Sequence, residues 1–380
     1  MSHILTVNAG SSSLKYALYR AKAEPVVLAQ GKVGRIGGAA QLTPAGGPAR
    51  DLPPGTDHAG ALAAVLAELS ESHPDAQVTV VGHRVVHGGP DYAAPVELTP
   101  KVIAQLEGFA PYAPLHQPHN LAGVRAAMAA FPQARQIACF DTAFHRGHPF
   151  VNDTFALPRR FYDKGVRRYG FHGLSYDYIA GEVARRAPAL SRVVVAHLGN
   201  GASMCALRDG RSVASTMGFS ALDGLPMGTR CGQLDPGVVL YLMQQEGMDA
   251  DQISDLLYTE SGLKGMSGLS NDMRELQASD DPRAVEALDY FVFRIRRELG
   301  AMAAVLGGID GLVFCGGIGE NSAPVRARVC AGMDWLGIAV SDTANDANAP
   351  VISTGPVQVM VIPTNEEIVI ARAAVALADA

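Results

Sequence analysis

The sequence predicts an α/β protein built from two related halves. Apolar strand-like runs alternate with helical patterns along the chain, and one layout occurs twice. That layout is an apolar strand, a turn of small residues and a returning strand, in ILTV-NAGSSS-LKYALY (4–19) and in VVVA-HLGNGAS-MCALRD (193–209). A chain of 380 residues is long enough for two such domains.

The first half alternates strand and helix signals. Leu62, Val65 and Leu69 share one face at helical spacing, and a proline in a first turn is typical of a helix start. The elements expected here are strands at 4–7 and 14–19, loop or short strands over 31–55, a helix at 58–70, a strand ending in a glycine loop within 78–89, and helices that begin at Thr99-Pro100 and Gln117-Pro118.

The second half renews the pattern after residue 135. Aspartate followed by proline is typical of an N-cap and the first helical position. The elements expected here are the strand QIACF (136–140), a strand, turn and strand at 193–210, helices opened by Asp235-Pro236 and Asp281-Pro282, a strand, glycine turn and helix start at 311–322, the same scheme at 357–367, and a closing helix.

Composition and charge exclude several classes of protein. Hydrophobic residues make up 48% of the chain, so a large core is expected and wholesale disorder is excluded. The net charge of −6 argues against a general nucleic-acid binder. We expect a cytoplasmic protein, because the sequence shows neither a signal peptide nor a long apolar run, and its five cysteines lack CxxC spacing.

Three turns of small residues are candidate phosphate-binding loops: NAGSSSLK (8–15), HLGNGAS (197–203) and GGIGENS (316–322). Backbone N–H groups in such turns bind anions, although glycine and serine also favour ordinary turns. Each turn directly follows an apolar strand, which favours a ligand with several phosphates. The P-loop, GxGxxG and protein-kinase signatures are absent, so any phosphate chemistry must use hairpin loops.

Cationic residues and carboxylates beside glycine loops are candidate site residues. Arg84 lies in VGHRVVHGG and Arg230 in GLPMGTRCG, where either could pair with a carboxylate or phosphate or be an ordinary surface arginine. A metal site from His116 and His119 is an open but disfavoured alternative, and so is a Ser/His/Asp hydrolase. Thr364-x-x-Glu367 predicts a capping box for the last helix.

The motifs together resemble those of the acetate kinases. In family order the chain carries NAGSSSLK, GHRVVHGG, APLHQP, CFDTAFH, RRYGFHG, HLGNGASM, GLPMGTRCGQLDP, SNDMR, GGIGENS and IPTNEE. The resemblance implies two duplicated ribonuclease H-like (actin-like ATPase) domains with a nucleotide cleft between them, at 1–140 plus 367–380 and at 141–366. It also implies a homodimer with its interface in the second domain, Mg²⁺ with Mn²⁺ as an alternative, and reversible transfer of the γ-phosphate of ATP to acetate, giving acetyl phosphate and ADP, with no nucleic-acid or membrane partner.

The resemblance also implies a role for individual residues. The residues matched to catalysis are Asp141, His172 and Arg230. Those matched to the carboxylate substrate are Arg84, Val86, Leu115, His116, Phe171 and Ala221. Those matched to the nucleotide are Ser11, Ser13, Lys15, His197, Leu198, Gly199, Asn200, Gly201, Asp272, Met273, Arg274, Gly317, Ile318, Gly319, Glu320 and Asn321. Asn8 and Glu366 match positions linked to the metal, the carboxylate through water.

The expected chemistry needs no general base, because acetate is already ionised at neutral pH. We therefore expect Asp141 to orient Arg84 or a neighbour rather than to take a proton. Ala221 stands where the family often has proline beside the methyl pocket, so a propionate or butyrate kinase is one rival reading. A non-catalytic nucleotide switch is another, although it would not need Arg84. Tyr176 and Gln233 also depart from the family, and neither is expected to touch an assigned residue.

Overall fold

The chain folds into two compact units. A computed structural model describes residues 2–10, 12–114 and 116–378. One unit comprises Met1–Arg146 with Asn365–Ala380, and the other comprises Gly147–Thr364. The sequence had placed the limits after residues 140 and 366. Asp141 is bonded to Arg84 of the first unit, and the helix that begins at Glu366 packs on the first sheet.

The strands are numbered in chain order. Eight lie in the first unit and five in the second, among the residues described. They are β1 (Ser2–Ala9), β2 (Ser13–Arg20), β3 (Val26–Gly34), β4 (Gln41–Pro44), β5 (Arg50–Asp51), β6 (Gln77–Val85), β7 (Val96–Glu97), β8 (Arg135–Phe140), β9 (Arg192–Leu198), β10 (Ala202–Arg208), β11 (Arg211–Ser215), β12 (Gly311–Cys315) and β13 (Gln358–Val361).

The helices are numbered in the same way. They are α1 (His58–Ser72), α2 (Pro100–Glu107), α3 (Gln117–Ala130), α4 (Phe150–Asp153), α5 (Arg159–Asp163), α6 (Gly173–Arg186), α7 (Pro236–Gln244), α8 (Ala250–Asp255), α9 (Gly262–Ser267), α10 (Met273–Gln277), α11 (Pro282–Leu306), α12 (Gly316–Asn321), α13 (Ala323–Cys330), α14 (Asp342–Asp346) and α15 (Glu366–Ala378). Short 3₁₀ turns span Ala110–Tyr112, Ala143–His145 and Asp334–Leu336, and a π turn spans Leu256–Glu260.

The two sheets share one topology, which confirms the predicted duplication. In the first sheet β3, β2 and β1 are antiparallel neighbours, and β6 and β8 follow β1 in parallel. In the second sheet β11, β10 and β9 are antiparallel neighbours, and β12 and β13 follow β9 in parallel. The first sheet adds β4 and β5 beyond β3 and β7 beyond β8, so the segment 31–55 forms short strands rather than a loop.

Helices cover both faces of the first sheet. Val81 belongs to a buried cluster with Leu62 and Val65 of α1. The next residue, Gly82, faces α15, because a Cβ built there would lie 2.5 Å from Ile370 Cγ2. Successive residues of a strand point to opposite faces, so α1 and α15 lie on opposite sides of the sheet. In the second unit, the 25-residue α11 packs on β9 and β10.

The start of α15 differs from the sequence prediction. The backbone N–H of Ile368 donates to Asn365 Oδ1 at 3.1 Å, so Asn365 is the N-cap of this helix. The hydroxyl of Thr364 is instead 2.8 Å from Ser175 Oγ. The predicted capping box of Thr364 and Glu367 is therefore wrong. This places Glu366 and Glu367 in the first turn, where carboxylates are favoured by the helix dipole.

Buried histidines support the first sheet in their neutral form. His83 on β6 is 1% exposed and donates from Nε2 to Gln136 Oε1 at 2.8 Å. Burial lowers the pKa of His83 to about 4, although the bond to Gln136 offsets part of the effect. His87 is also fully buried and accepts from the Gly89 N–H, and its pKa falls to about 3 through burial and the nearby Arg146.

In the part of the chain that the structure describes, no helix is long and apolar enough to cross a membrane.

We expect stability to fall as the pH drops below about 6.5, the value for an unfolded histidine. The unfolded chain binds a proton there that folded His83 does not bind, so unfolding is favoured between pH 6.5 and about 4. The free energy of unfolding of the native chain should decrease between pH 7 and pH 5. About 2 kcal/mol of that decrease should be absent in His83→Gln. Urea titrations at both pH values measure this. His73→Gln, at the exposed end of α1, should retain the full decrease, and an unchanged decrease in His83→Gln would contradict the assignment.

Candidate active site

Four polar residues of the first unit meet at one edge of its sheet. Asn8 lies near the end of β1, Arg84 near the end of β6, and Asp141 directly after β8. Because β1, β6 and β8 are parallel, their carboxyl ends lie at the same edge, where open α/β sheets usually bind ligands. Glu366 joins them from the first turn of α15.

Arg84 is fixed by hydrogen bonds on two sides of its guanidinium group. Its Nε and Nη2 donate to Asp141 Oδ1 and Oδ2 at 2.9 and 2.6 Å, and its Nη1 donates to Asn8 Oδ1 at 3.2 Å. The contact expected between Asp141 and Arg84 is therefore present. An arginine has five N–H groups, so one on Nη1 and one on Nη2 remain beyond these three bonds. That pair has the spacing for bidentate binding of a carboxylate.

The charge on Arg84 is stabilised despite its burial. Its side chain is 17% exposed, and that of Asp141 is 2% exposed. Burial opposes the charge, but the Asp141 and Glu366 carboxylates outweigh it and raise the pKa of Arg84 above its ordinary value. Arg84 is thus a permanent cation with a fixed direction, which suits it to hold an anionic ligand.

Asn8 and Glu366 are the candidate metal residues of this edge. Asn8 donates from Nδ2 to Glu366 Oε2 at 3.2 Å, and its Oδ1 accepts from Arg84. This amide orientation is required, because a flipped amide would turn its oxygen toward the carboxylate. Across the described ranges, no group of three or more His, Cys, Asp or Glu is arranged to hold a metal. The oxygen donors of Glu366 and Glu367 nevertheless fit Mg²⁺, which is often held by one or two carboxylates plus waters and phosphates.

The other predicted residues of the first unit lie in three places. Ser13 begins β2, and Lys15 is exposed on β2 opposite Asn8. Val86 is buried just after β6, and His116 directly precedes α3. Ser11 and Leu115 lie outside the described residues. His119 stacks on His58 with ring centroids 5.2 Å apart rather than pairing with His116.

The loop after β6 is held by residues that the sequence analysis missed. Asn120 Oδ1 accepts from the Val86 N–H at 2.9 Å, and Gln117 Oε1 accepts from the His87 N–H at 3.2 Å. Thr142 Oγ1 accepts from the Gly88 N–H. All three side chains are buried. The helix start at Gln117-Pro118 was the available signal, but it did not show that the amides point at this loop.

In the second unit, His172 and Arg230 converge on the loop between β9 and β10. This loop is Gly199–Gly201, since Leu198 pairs with Ala202 across the hairpin. A Cβ built at Gly201 would lie 3.3 Å from both His172 Nε2 and Arg230 Nη2. The predicted phosphate loop, the histidine and the arginine are therefore assembled, with the absent side chain of Gly201 leaving room for a ligand.

The two histidines of this site stack face to face. The rings of His172 and His197 have centroids 4.3 Å apart. His172 Nδ1 lies 2.8 Å from Ser203 Oγ, and His197 Nδ1 lies 2.8 Å from Ser175 Oγ. Tyr176 also bonds to Ser203 Oγ through its hydroxyl group. The expectation that Tyr176 touches no assigned residue is wrong, because its ring packs edge-on against His197 with centroids 6.4 Å apart and its hydroxyl bonds to the Ser203 hydroxyl beside His172.

Ala221 is bonded to Arg230, and Phe171 is next to His172 in the chain. Ala221 O accepts from Arg230 Nη1 at 2.9 Å, so the backbone at this position orients the arginine. Phe171 is 2% exposed and directly precedes His172 in the chain. Gln233, which departs from the family, accepts through Oε1 from Arg294 Nη2 at 2.9 Å. Arg294 lies on α11, a helix that carries no residue assigned to the site.

Glycine is required where β12 passes into α12. Gly316 has φ +75°, and a Cβ there would lie 2.7 Å from Leu198 O. The close approach places the first turn of α12 beside the Gly199–Gly201 loop, with a Cβ of Gly199 only 3.9 Å from the Gly317 nitrogen. Two small-residue turns that are far apart in sequence therefore become neighbours.

A cavity of about 740 Å³ opens beside these turns. Eight residues predicted for the nucleotide line it: Gly199, Asn200, Asp272, Met273, Arg274, Gly317, Ile318 and Asn321. Arg274 holds Asp272 in a two-point contact, and this bond lowers the pKa of Asp272 to about 2. The walls that the sequence analysis missed are Gly228, Leu263, Ser270, Asn271, Glu275, Gln277 and Ser322.

Gly319 and Glu320, which were also predicted for the nucleotide, do not line this cavity. Glu320 Oε1 accepts from the Gly316 and Thr364 N–H groups at 2.9 and 3.0 Å. The carbonyl oxygens of Gly319 and Glu320 accept from Arg326, which is fully buried. Both residues therefore support the turn through these bonds.

Comparison with known proteins shows which family the chain belongs to. The sequence matches the model of the Acetokinase family over residues 3–372. It is 58% identical to the acetate kinase of Methylocella silvestris, over 99% of this chain and 98% of that protein. Among solved structures, the acetate kinase of Porphyromonas gingivalis matches with a TM-score of 0.89 at 38% identity and covers 100% of both chains. A propionate kinase of Francisella tularensis matches with a TM-score of 0.91 at 33% identity, over 98% of this chain and 99% of that one. These matches confirm the two-domain ribonuclease H-like fold, and the chain belongs to the acetokinase family.

Proposed function

We propose that this chain transfers the γ-phosphate of ATP to the carboxylate of acetate, reversibly, giving acetyl phosphate and ADP by direct in-line transfer. The observation that carries the proposal is the anchoring of Arg84. Asp141 and Asn8 occupy three of its N–H groups and leave a parallel pair for a carboxylate. The family and the named relatives support the same activity.

In this reaction the acceptor needs a cation rather than a base. Acetate is ionised at neutral pH, and its main obstacle is the repulsion of the triphosphate. Arg84 offsets that repulsion when it binds the carboxylate. Asp141 is a positioning residue, since both of its oxygens accept from Arg84.

The second unit holds the phosphate donor. The 740 Å³ cavity takes the adenosine, and the Gly199–Gly201 loop takes the phosphates through its backbone N–H groups. Arg230 and His172 would bind the equatorial oxygens of the moving phosphoryl group, where charge develops during transfer. Asp272 and Arg274 also line the cavity, and their polar side chains suit the base and ribose.

Magnesium completes the donor. We propose that Glu366 holds Mg²⁺ through water, with Mn²⁺ as an alternative ion. When bound, the ion neutralises phosphate charge and orients the terminal group. Asn8 fixes the carboxylate of Glu366 rather than binding the ion with its oxygen, because that oxygen already accepts from Arg84. ATP and Mg²⁺ are supplied in the cytoplasm, where we propose that the chain acts.

Acyl phosphate formation tests the function directly. With ATP, Mg²⁺ and acetate, the purified chain should give an acyl hydroxamate when hydroxylamine is added. Asp141→Asn should lower kcat by about 10²-fold or more, because the new amide N–H₂ faces the donors of Arg84 and turns them away. Steady-state kinetics of both proteins measure this.

A matched control is available in the second unit. Arg192 and Asp310 also form a two-point pair, remote from every residue assigned here. Asp310→Asn should lose stability but keep kcat. An unchanged kcat in Asp141→Asn would remove Asp141 from the mechanism. Failure of the native chain to make an acid anhydride from any short acid would overturn the proposed function.

A preference that extends to propionate is a second candidate, favoured by Ala221. This small residue stands at the predicted methyl pocket, and a propionate kinase shares the fold at 33% identity. One extra methylene in such a pocket is worth about 1–3 kcal/mol. We expect comparable kcat/KM for propionate and acetate. Ala221→Val should lower the propionate to acetate ratio at least about fivefold. A native ratio far below one would dismiss the idea.

We also propose that the chain forms a homodimer through its second unit. All nine residues of α7 lie outside the core, although the helix is rich in apolar side chains. Val238, Leu240, Tyr241 and Met243 are each 40–54% exposed. A helix normally buries its apolar stripe, so a second copy of the chain would cover this face.

Sedimentation equilibrium tests the dimer. The native chain should show twice the chain mass of 39.8 kDa. Leu240→Glu should shift the equilibrium toward the monomer, since it places a charge in the apolar face. Val151→Glu, at a residue of α4 that is 77% exposed, should leave the mass unchanged. A monomeric native chain would refute the dimer.

A further inference from the structure

The backbone conformation and a side-chain hydrogen bond together fix the orientation of His172. It has φ +57°, which is uncommon for a residue other than glycine, and it directly precedes α6. Its Nδ1 lies 2.8 Å from Ser203 Oγ, and its Nε2 points at the space above Gly201. Only Nε2 therefore faces the position proposed for the phosphates.

A buried hydroxyl pair lies behind this ring. Ser203 and Tyr176 are both 0% exposed, and the Tyr176 hydroxyl bonds to Ser203 Oγ. Burial raises the pKa of Tyr176 well above its ordinary value, with the nearby Cys205 and Cys315 adding to the shift. The phenol therefore keeps its proton at any working pH and can act as a donor.

The charges around His172 disfavour a positive ring. Arg230 Nη2 lies within reach of the same point above Gly201 as His172 Nε2. His197 is stacked on the other side with its centroid 4.3 Å away. A proton added to His172 would be repelled by the arginine and would compete with protonation of His197. The neutral ring is the form that these neighbours favour.

A neutral ring can donate to a phosphoryl oxygen only if its proton is on Nε2. We propose that Tyr176 is a positioning residue which, through Ser203, keeps the proton of His172 on Nε2. Tyr176 donates to Ser203 Oγ, so the Ser203 hydroxyl proton turns to His172 Nδ1. Nδ1 then accepts, and Nε2–H points at the transferring group. This inference rests on the proposed phosphoryl transfer and adds a residue to it.

Loss of the phenol hydroxyl should change the pH dependence of the reaction. In Tyr176→Phe, Ser203 Oγ lacks its donor and gains by accepting from an Nδ1–H of His172. The neutral ring then turns a lone pair toward the phosphoryl group, and only the doubly protonated ring can donate. That form is lost as the pH rises, and Arg230 beside the ring moves the loss to a lower pH than for an ordinary histidine.

The experiment is a kcat–pH profile of the full chain between pH 6 and 8.5. Relative to the native profile, kcat of Tyr176→Phe should fall about tenfold at pH 8.5 and by less at pH 6. KM for ATP and acetate should change little, because the bond is made mainly in the transition state. The kcat of Ser203→Ala should fall in the same direction. The kcat of the double variant should be no lower than that of Ser203→Ala alone.

Matched variants separate this role from simple support of the fold. Tyr169 is also 0% exposed, and its hydroxyl donates to Gly165 O at 2.7 Å. Tyr169→Phe should lose a similar hydrogen bond yet keep a profile parallel to the native one. Tyr176→His, which restores a donor, should recover activity at pH 8.5. A Tyr176→Phe profile parallel to the native one, or additive losses in the double variant, would overturn the inference. An inactive native chain would instead refute the proposed function.

Discussion

The two-point bond between Arg84 and Asp141 is the interaction on which the proposed acceptor site depends. Burying either partner alone would be costly, and the pair repays that cost only because its geometry is complete. Asn8 adds a third bond from a different strand. The arginine therefore has one available direction before any ligand arrives, so little conformational freedom is lost when a carboxylate binds.

The same topology produces two chemically different edges. In both sheets a hairpin is followed by parallel strands, and the polar residues collect where the parallel strands end. The first edge carries Arg84, Asp141 and Asn8, which suit a small anion. The second edge carries the Gly199–Gly201 loop and Gly316, where missing side chains bring backbone N–H groups close to a ligand. The chemistry thus belongs to the residues grafted on each edge rather than to the fold.

Local patterns predicted the elements better than their contacts. The repeated strand–turn–strand layout was sufficient for the duplication, because alternation and small-residue turns are properties of neighbouring residues. The capping box failed because Ser175, remote in sequence, binds the Thr364 hydroxyl and leaves the cap to Asn365. The bonding partners of Glu320 and Tyr176 could not be predicted for the same reason. Each points at a partner that only the folded chain brings near, as Glu320 does at the Thr364 N–H.

Asp141 also limits how tightly Arg84 holds its ligand. A lone buried guanidinium would bind a carboxylate strongly and reduce the electron density that the nucleophile needs. With the carboxylate of Asp141 on two of its nitrogens, Arg84 shares its charge before the acceptor binds. Tight binding of the ground state does not accelerate the transfer, whereas a fixed donor pair aimed at the acceptor does. In the proposed reaction the acidic partner would therefore direct the cation and moderate it, without any transfer of a proton.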